Sequence, residues 1–392
     1  MRNRLVPLVL IGVMALGVLA ADPAPLPPVE RFDYVISTQT IGASYQFTSE
    51  PRLVETAKAI REMGATAIKF SLFKRDMKPE EHPERYKTLT ELAAKEPSFR
   101  QVFDMPFGHF LIWAYSLSED RNRPPSDARD GEIYDLACHL LKTYDRSGKT
   151  FYIGHWEGDW ELRGKEHSKF PTPEAIEAKI RWLNRRQKAI DDARRDTPHR
   201  DVDVFCYVEA NRVFDAIKGK PSIANDLLPA CNPDFVSYSA WDAMESNIPT
   251  DKLGEHLTEA LNYLDSKLPA KPAITGKRVF VGEYGFPRRK YAPEVQVARS
   301  REVMKAAIRW GCRFCLYWEL YNNEVDDQGQ RGFWLIDDKN VKQPVYFLHR
   351  EFLAKGREYV ADFHVKNKRF PSDVEFRAAA ISWLNAIPAT QK

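Results

Sequence analysis

Two glutamates stand where acid–base chemistry could be done. Glu283 lies in the stretch 278–287, RVFVGEYGFP. Val279, Phe280 and Val281 form a short apolar run bounded by a Lys–Arg pair and a glycine. β-Branched and aromatic residues in so short a run predict a buried strand, not a helix. A carboxylate at the end of such a strand is costly to bury unless it is hydrogen-bonded or has a task. A solvated turn acid is the ordinary alternative. Glu157 lies in HWEGDW, 155–160, directly after the strand-like TFYIG of 150–154. Carboxyl groups brought close together cannot both ionise easily, so one of them keeps a proton near neutral pH. Opposed carboxyls about 5–5.5 Å apart are the apparatus of double-displacement glycosidic hydrolysis, one as nucleophile and one as acid and then base. No GxSxG, GxGxxG, P-loop or HExxH motif competes.

The elements that must carry these residues alternate along the chain. Strand-like runs fall at 40–47, 65–73, 110–116, 150–154, 203–208, 234–239, 279–282 and 313–317. Helical patterns lie between most of them. Residues 50–63 place Leu53, Ala57, Ile60 and Met63 on one face, with Gly64 as the stop. Residues 83–104 are a polar helical region, and 130–144 are amphipathic. Thr172 and Pro173 are the cap and first residue of a long helix to about Arg195. Further helices are predicted at 250–268, 293–310 and 346–359. Eight strands separated by helices is the pattern of an α/β fold, a (β/α)8 TIM barrel, here a single domain over 31–360. Residues 361–392 read as a short helical extension docked on it, with Ser372 and Glu375 as a capping box. In such barrels the C-terminal strand ends carry the chemistry. By this count Glu209 and Asn211, in VEAN at 208–211, follow strand five and bind substrate hydroxyls. If one strand too many is counted before them, Glu209 is on strand four and is the acid.

The first twenty residues have a charged start at Arg2 and Arg4, an apolar run from Leu5 to Leu19 and small residues at Ala20 and Ala21. That is the pattern of a cleaved signal peptide, and the run is shorter than a spanning helix needs. A secreted or periplasmic protein is expected, with no membrane association after cleavage. Residues 21–30 are a Pro-rich leader, expected to be poorly ordered. The formal charge of the 392-residue chain is +3, and cleavage after Ala20 removes two arginines to leave +1. So balanced a charge gives no sign of nucleic acid as a partner. The five cysteines cannot all pair within one chain, and most sit in apolar segments, so packed thiols are expected. Cys312 and Cys315 form a lone CxxC with no second pair.

The arrangement resembles the large superfamily of retaining (β/α)8 glycoside hydrolases known as clan A. VGEYGFP at 281–287 is similar to the strand-seven nucleophile motif and implies that role for Glu283. HWEGDW is similar to the strand-four acid/base motif and implies that role for Glu157. YWEL at 317–320 resembles the strand-eight motif whose tryptophan floors the sugar site, here Trp318. The run 332–352, GFWLIDDKNVKQPVYFLHREF, resembles the segment after strand eight. VSYSAWD at 236–242 loosely resembles the strand-six segment, which makes Tyr238 and Trp241 substrate contacts. His155 and Asp159 flank Glu157 and are taken as cleft residues. The sequence departs from the pattern at Trp156, where the clan has the Asn that binds the 2-hydroxyl. The resemblance implies a carbohydrate substrate, no cofactor and no metal. Two other readings stay open: a catalytically silent carbohydrate-binding barrel, and metal-dependent hydrolysis with His155, Glu157 and Asp159 as ligands at alternating positions.

Overall fold

The computed structural model describes residues 25–73, 86–117, 130–164 and 169–388. Eight parallel strands close into a barrel in sequence order. They are β1 (Ile36–Thr40), β2 (Ala67–Leu72), β3 (His109–Ala114), β4 (Thr150–Gly154), β5 (Asp203–Ala210), β6 (Phe235–Ser239), β7 (Val279–Tyr284) and β8 (Cys315–Tyr317). The predicted α/β (β/α)8 barrel is the observed architecture.

Alternation along the strands sorts their side chains into two layers. Ile68, Phe70 and Leu72 of β2, like Val236 and Tyr238 of β6, face the helices and join the main core. Leu111, Tyr152, Tyr207, Phe235, Phe280, Phe314 and Leu316 point inward and fill the barrel. The interior is a packed aromatic stack rather than a pore. Tyr152 and Phe314 meet edge to face at 5.2 Å, and His109 stands 5.4 Å from Phe314. Below them Arg313 donates to the Tyr152 hydroxyl at 3.2 Å and closes the N-terminal end.

Strand one was expected at 40–47 and lies at 36–40. Its sequence, ISTQT, carries no apolar run, yet all five residues are buried. The hydroxyls are satisfied by neighbouring strands: Ser37 donates to the Ala67 carbonyl at 2.5 Å and Thr38 to the Tyr317 carbonyl at 2.9 Å. Gly42, in the left-handed region at φ 63°, follows the strand end. Residues 44–48 are then pinned as a loop, with Phe47 and Thr48 donating their amides to the Glu55 carboxylate at 2.8 and 2.6 Å.

The polar region 83–104 contains two helices, Leu89–Lys95 and Pro97–Asp104, while 83–85 lie outside the described residues. The signal-peptide reading of residues 1–20 also falls outside them. From Leu26 onward the leader is tied down, contrary to expectation. Leu26 is buried and donates its amide to the Ser147 carbonyl at 2.9 Å, and Glu30 pairs with Arg61 at 2.8 Å. The helix expected over 346–359 runs Pro344–Asn367, so it continues past residue 360. The last helix, Asp373–Ala386, has the Ser372/Glu375 capping box. It packs Phe376 against Phe32 and Tyr34, and Arg377 donates to the carbonyls of Ile308 and Cys312 at 2.9 and 3.0 Å. All five cysteines are free thiols. Among the described residues no helix is long and apolar enough to cross a membrane.

Candidate active site

Strict alternation along β7 would turn Glu283 outward, because Phe280 and Gly282 face the interior. A β-bulge prevents this. Tyr238 of β6 pairs with Val281, but the next residue, Ser239, pairs with Glu283. Against β8, Val281 pairs with Cys315 and Tyr284 with Tyr317, so β7 holds one residue more than its neighbour. The extra residue re-aims Glu283 into the barrel mouth, a recurrent use of bulges beside functional sites. Tyr284 then faces the helices and meets His349 at 3.0 Å. Gly282 suits the bulge, since a β-carbon there would overlap the Ser237 hydroxyl.

Inside the mouth Glu283 accepts from Lys69 Nζ at 2.9 Å and from Trp241 Nε1 at 3.2 Å. Lys69 rises from the middle of β2 and is fully buried. Its ammonium also donates to Glu209 Oε2 at 3.0 Å and lies 4.4 Å from the centre of the Trp113 ring. Burial alone would lower the Lys69 pKa, but Glu209 and Glu283 hold it above the ordinary lysine value. Because one nitrogen touches both, the two glutamate oxygens are no farther apart than those two bond lengths combined. Glu209, at the inward end of β5, is also fully buried. Its Oε2 accepts from Ser237 Oγ at 2.9 Å and Trp113 Nε1 at 3.4 Å, and its Oε1 accepts the Glu157 amide at 3.1 Å.

Glu157 caps the short helix Gly158–Arg163 beyond β4. Three anchors hold its loop. The Trp156 amide donates to the Tyr115 hydroxyl at 2.8 Å, which in turn donates to Glu161 at 2.6 Å. His155 Nδ1 bonds the Trp156 carbonyl at 2.8 Å, while its Nε2 accepts the Glu209 amide at 3.4 Å. The Glu157 amide is held by Glu209. Burial, then the charges of Glu283 and Glu209, push the Glu157 carboxyl well above the ordinary range. Burial also raises Glu283, to about 7, against the opposing pull of Lys69. Neither is an ordinary surface acid.

Aromatic side chains wall the mouth. Trp113 and Trp318 lie 6.4 Å apart, and half-buried Trp241 meets Phe333 edge to face at 5.5 Å. Trp318 is joined to Glu319 by a cis peptide and donates its indole N–H to Glu324 at 3.2 Å. Glu319 is fully buried, accepting the Ile41 amide at 3.1 Å.

The residues singled out from sequence thus separate. Glu157, Glu209, Glu283, Trp241 and Trp318 converge on the mouth. Four others are engaged by the protein itself. The Asp159 carboxylate is spent on backbone, accepting the amides of Asn211 at 2.9 Å, Arg212 at 3.1 Å and Ile223 at 2.8 Å. Asn211 returns the bond by accepting the Asp159 amide at 3.0 Å, so the pair staples the loops after β4 and β5. Tyr238 faces the helices and donates to Asp242 at 2.5 Å. His155 is fully buried beside Trp182, and burial lowers its pKa. With His155 and Asp159 so engaged, the alternating metal-ligand reading does not hold, and among the described residues no group of three side chains is placed to bind a metal ion. The strand count is confirmed as well, which places Glu209 on β5. Lys69, Trp113 and Ser237 were missed. The signal for Lys69 was present: a lysine amid ATAIKFSLF must be buried, and a buried ammonium needs carboxylates.

No protein-family model matches this sequence, and no curated protein matches it. Solved structures with a similar course of the chain include a GH5_18 protein from Bifidobacterium longum subsp. infantis, at 11% identity over 81% of this chain and 78% of that one, with a TM-score of 0.49. The GH39 enzyme from Xanthomonas axonopodis pv. citri has 11% identity over 86% and 68% of the two chains, with a TM-score of 0.49. A GH2 β-galacturonidase from Eisenbergiella tayi, bound to galacturonate, has 14% identity and a TM-score of 0.47; the match takes in 81% of this chain and only 50% of that one. The chemistry of this chain rests on its own residues.

Proposed function

We propose that this protein is a retaining glycoside hydrolase that cleaves O-glycosidic bonds of an oligo- or polysaccharide. The observation that carries the reading is the unequal treatment of two buried carboxyls at one barrel mouth. Glu283 is held by two donors, Lys69 and Trp241, which favour its charged form and fix its direction. Glu157 is raised well above the usual range by burial and by its carboxylate neighbours. Neighbouring carboxyls whose surroundings push them toward different protonation states mark the acid and its partner.

In this mechanism Glu157 protonates the glycosidic oxygen while ionised Glu283 attacks the anomeric carbon. The C–O bond to the leaving group breaks as the Glu283 ester forms. Glu157, now a carboxylate, takes a proton from water, and the water oxygen displaces Glu283. Trp318 and Trp241 offer ring faces to the sugar. Glu209 is fully buried and bonded to the donors Lys69, Ser237, Trp113 and the Glu157 amide, which favour its ionised form over the acid role. The protein acts outside the cytoplasm after loss of residues 1–20, which N-terminal sequencing of the mature chain checks.

Glu157→Gln should lower kcat by roughly 10²–10⁴-fold on substrates with poor leaving groups. Glu283→Gln should remove turnover. Wild-type rates from both variants on aryl glycosides would end the proposal. The pH profile of kcat/KM has a worked sign. Glu283 must be ionised, so activity rises with pH through about 7. Glu157 must be protonated, so activity falls at a higher pH. The bell should therefore sit on the alkaline side of neutrality, and an optimum near pH 5 would contradict these roles.

One observation favours a second reading, a carbohydrate-binding barrel without turnover. Position 156 is a tryptophan with 37% of its surface exposed, so no amide side chain stands next to Glu157. That reading predicts saccharide binding by calorimetry with no product released and no loss of affinity in Glu157→Gln.

A further inference from the structure

Glu209 is not needed for either step above, yet it is among the most heavily bonded side chains of the mouth. Its two oxygens serve different partners. Oε1 holds the amide of Glu157 at 3.1 Å. Oε2 holds Lys69 at 3.0 Å, and Lys69 in turn holds Glu283 at 2.9 Å. Ser237 and Trp113 bind the same Oε2 and keep it from turning. One planar group therefore connects the main chain of one catalytic residue with the cation bound to the other.

We propose that Glu209 is a positioning residue that sets the spacing of Glu157 and Glu283 and divides the charge of Lys69 between itself and Glu283. The inference rests on the glycosidase reading and adds to it the element that fixes the carboxyl spacing on which stereochemistry depends. The groups facing Glu283 are Lys69 from β2, Glu209 and Tyr207 from β5, Glu157 from the loop after β4, Trp241 from beyond β6 and Glu319 from beyond β8. Among the described residues Lys69 is the cation bonded to Glu283, so whatever competes for it acts on the nucleophile's charge.

The test exploits opposite signs. Glu209→Gln removes a neighbouring negative charge and leaves Lys69 to Glu283 alone. The acidic limb of kcat/KM should then move down by about one pH unit or more. Lys69→Met removes the cation, so the same limb should move up. In Glu209→Gln the remaining oxygen stays with Lys69, Ser237 and Trp113 while the NH2 faces the Glu157 amide, so that anchor is lost and kcat should fall on the order of 10²-fold, a cost typical of misplacement by about 1 Å. KM should change far less, because Glu209 is fully buried and both its oxygens are bonded to the protein itself. A Glu209→Gln enzyme with wild-type kcat and an unmoved acidic limb would overturn the proposal.

If either single variant fails to fold, the pair Lys69→Met/Glu209→Gln removes one charge of each sign and is expected to fold. Its acidic limb should lie between the two single-variant expectations. A limb no lower than that of wild type raised by the full Lys69→Met shift would overturn the division of charge. A readout independent of turnover is the titration of the Glu283 carboxyl carbon by NMR in protein labelled at glutamate Cδ. Its midpoint should fall in Glu209→Gln even if the wild type hydrolyses no glycoside, which separates failure of this inference from failure of the glycosidase reading. An unchanged midpoint counts against the inference alone.

Discussion

The two ends of the barrel bury polar groups in different ways. At the N-terminal end Arg313 donates to Tyr152, sits over the Phe235 ring at 5.4 Å and lies 3.8 Å from Asp33. Arg313 and Arg377 there face Asp33 and Asp373, so the charges balance, and aromatic rings fill the interior. At the C-terminal end, among the described residues, Lys69 is the cation amid Glu157, Glu209 and Glu283. Carboxyls outnumber it, and burial raises Glu157 and Glu283. Balanced charge closes a barrel, whereas an excess of one sign in a dry place is retained at a cost in stability. That imbalance, rather than the presence of buried charge, separates the working end from the closed one.

The contrast can be broken by removing one cation at each end. Lys69→Met leaves two buried carboxylates without their counter-ion, and breaking such a pair costs about 3–5 kcal/mol. Urea unfolding should show that loss together with the altered pH profile. Arg313→Met gives up a hydrogen bond at a partly exposed guanidinium, worth about 1 kcal/mol, and should leave the pH profile of activity where it was. Equal losses at the two ends, or a pH shift from Arg313→Met, would erase the distinction.

A smaller effect than that of Lys69 sharpens it within the mouth. Asp159→Asn replaces an oxygen that accepts backbone amides with a donor facing donors, and should cost about 1.5–3 kcal/mol. Because both Asp159 oxygens are taken by backbone amides, KM should stay near that of wild type. A large rise in KM with unchanged stability would return Asp159 to the substrate-binding set.

The barrel was legible because seven of its strands keep an apolar face toward the helices. Strand one was misplaced because ISTQT is polar and its burial is made possible by hydroxyl bonds to strands far away in sequence. Glu157, Glu283, Trp241 and Trp318 were legible because each ends a strand. Tyr238, His155, Asp159 and Asn211 were read as substrate contacts, yet each is engaged by the protein itself. Sequence places a residue near a strand end but does not say which way it points: Tyr238 turns to the helices and Asp242, and local backbone amides take the other three. Lys69 was overlooked because it sits inside a strand, where spacing gives no mark, although its charge should have.

The bulge in β7 has a consequence that concerns chain length rather than side-chain identity. A strand is a two-beat sequence, and Gly282 is the added beat that puts Glu283 in phase with the mouth. Holding the strand to strict alternation at its present length would leave every acid, lysine and tryptophan of the site encoded, yet Glu283 would fall on the beat that faces the helices. Exchanging Gly282 for alanine would keep the phase but drive a methyl group into the Ser237 hydroxyl. The rhythm of the strand and the spacing of its neighbours are thus written at one position, where a larger residue cannot drift in unaccompanied.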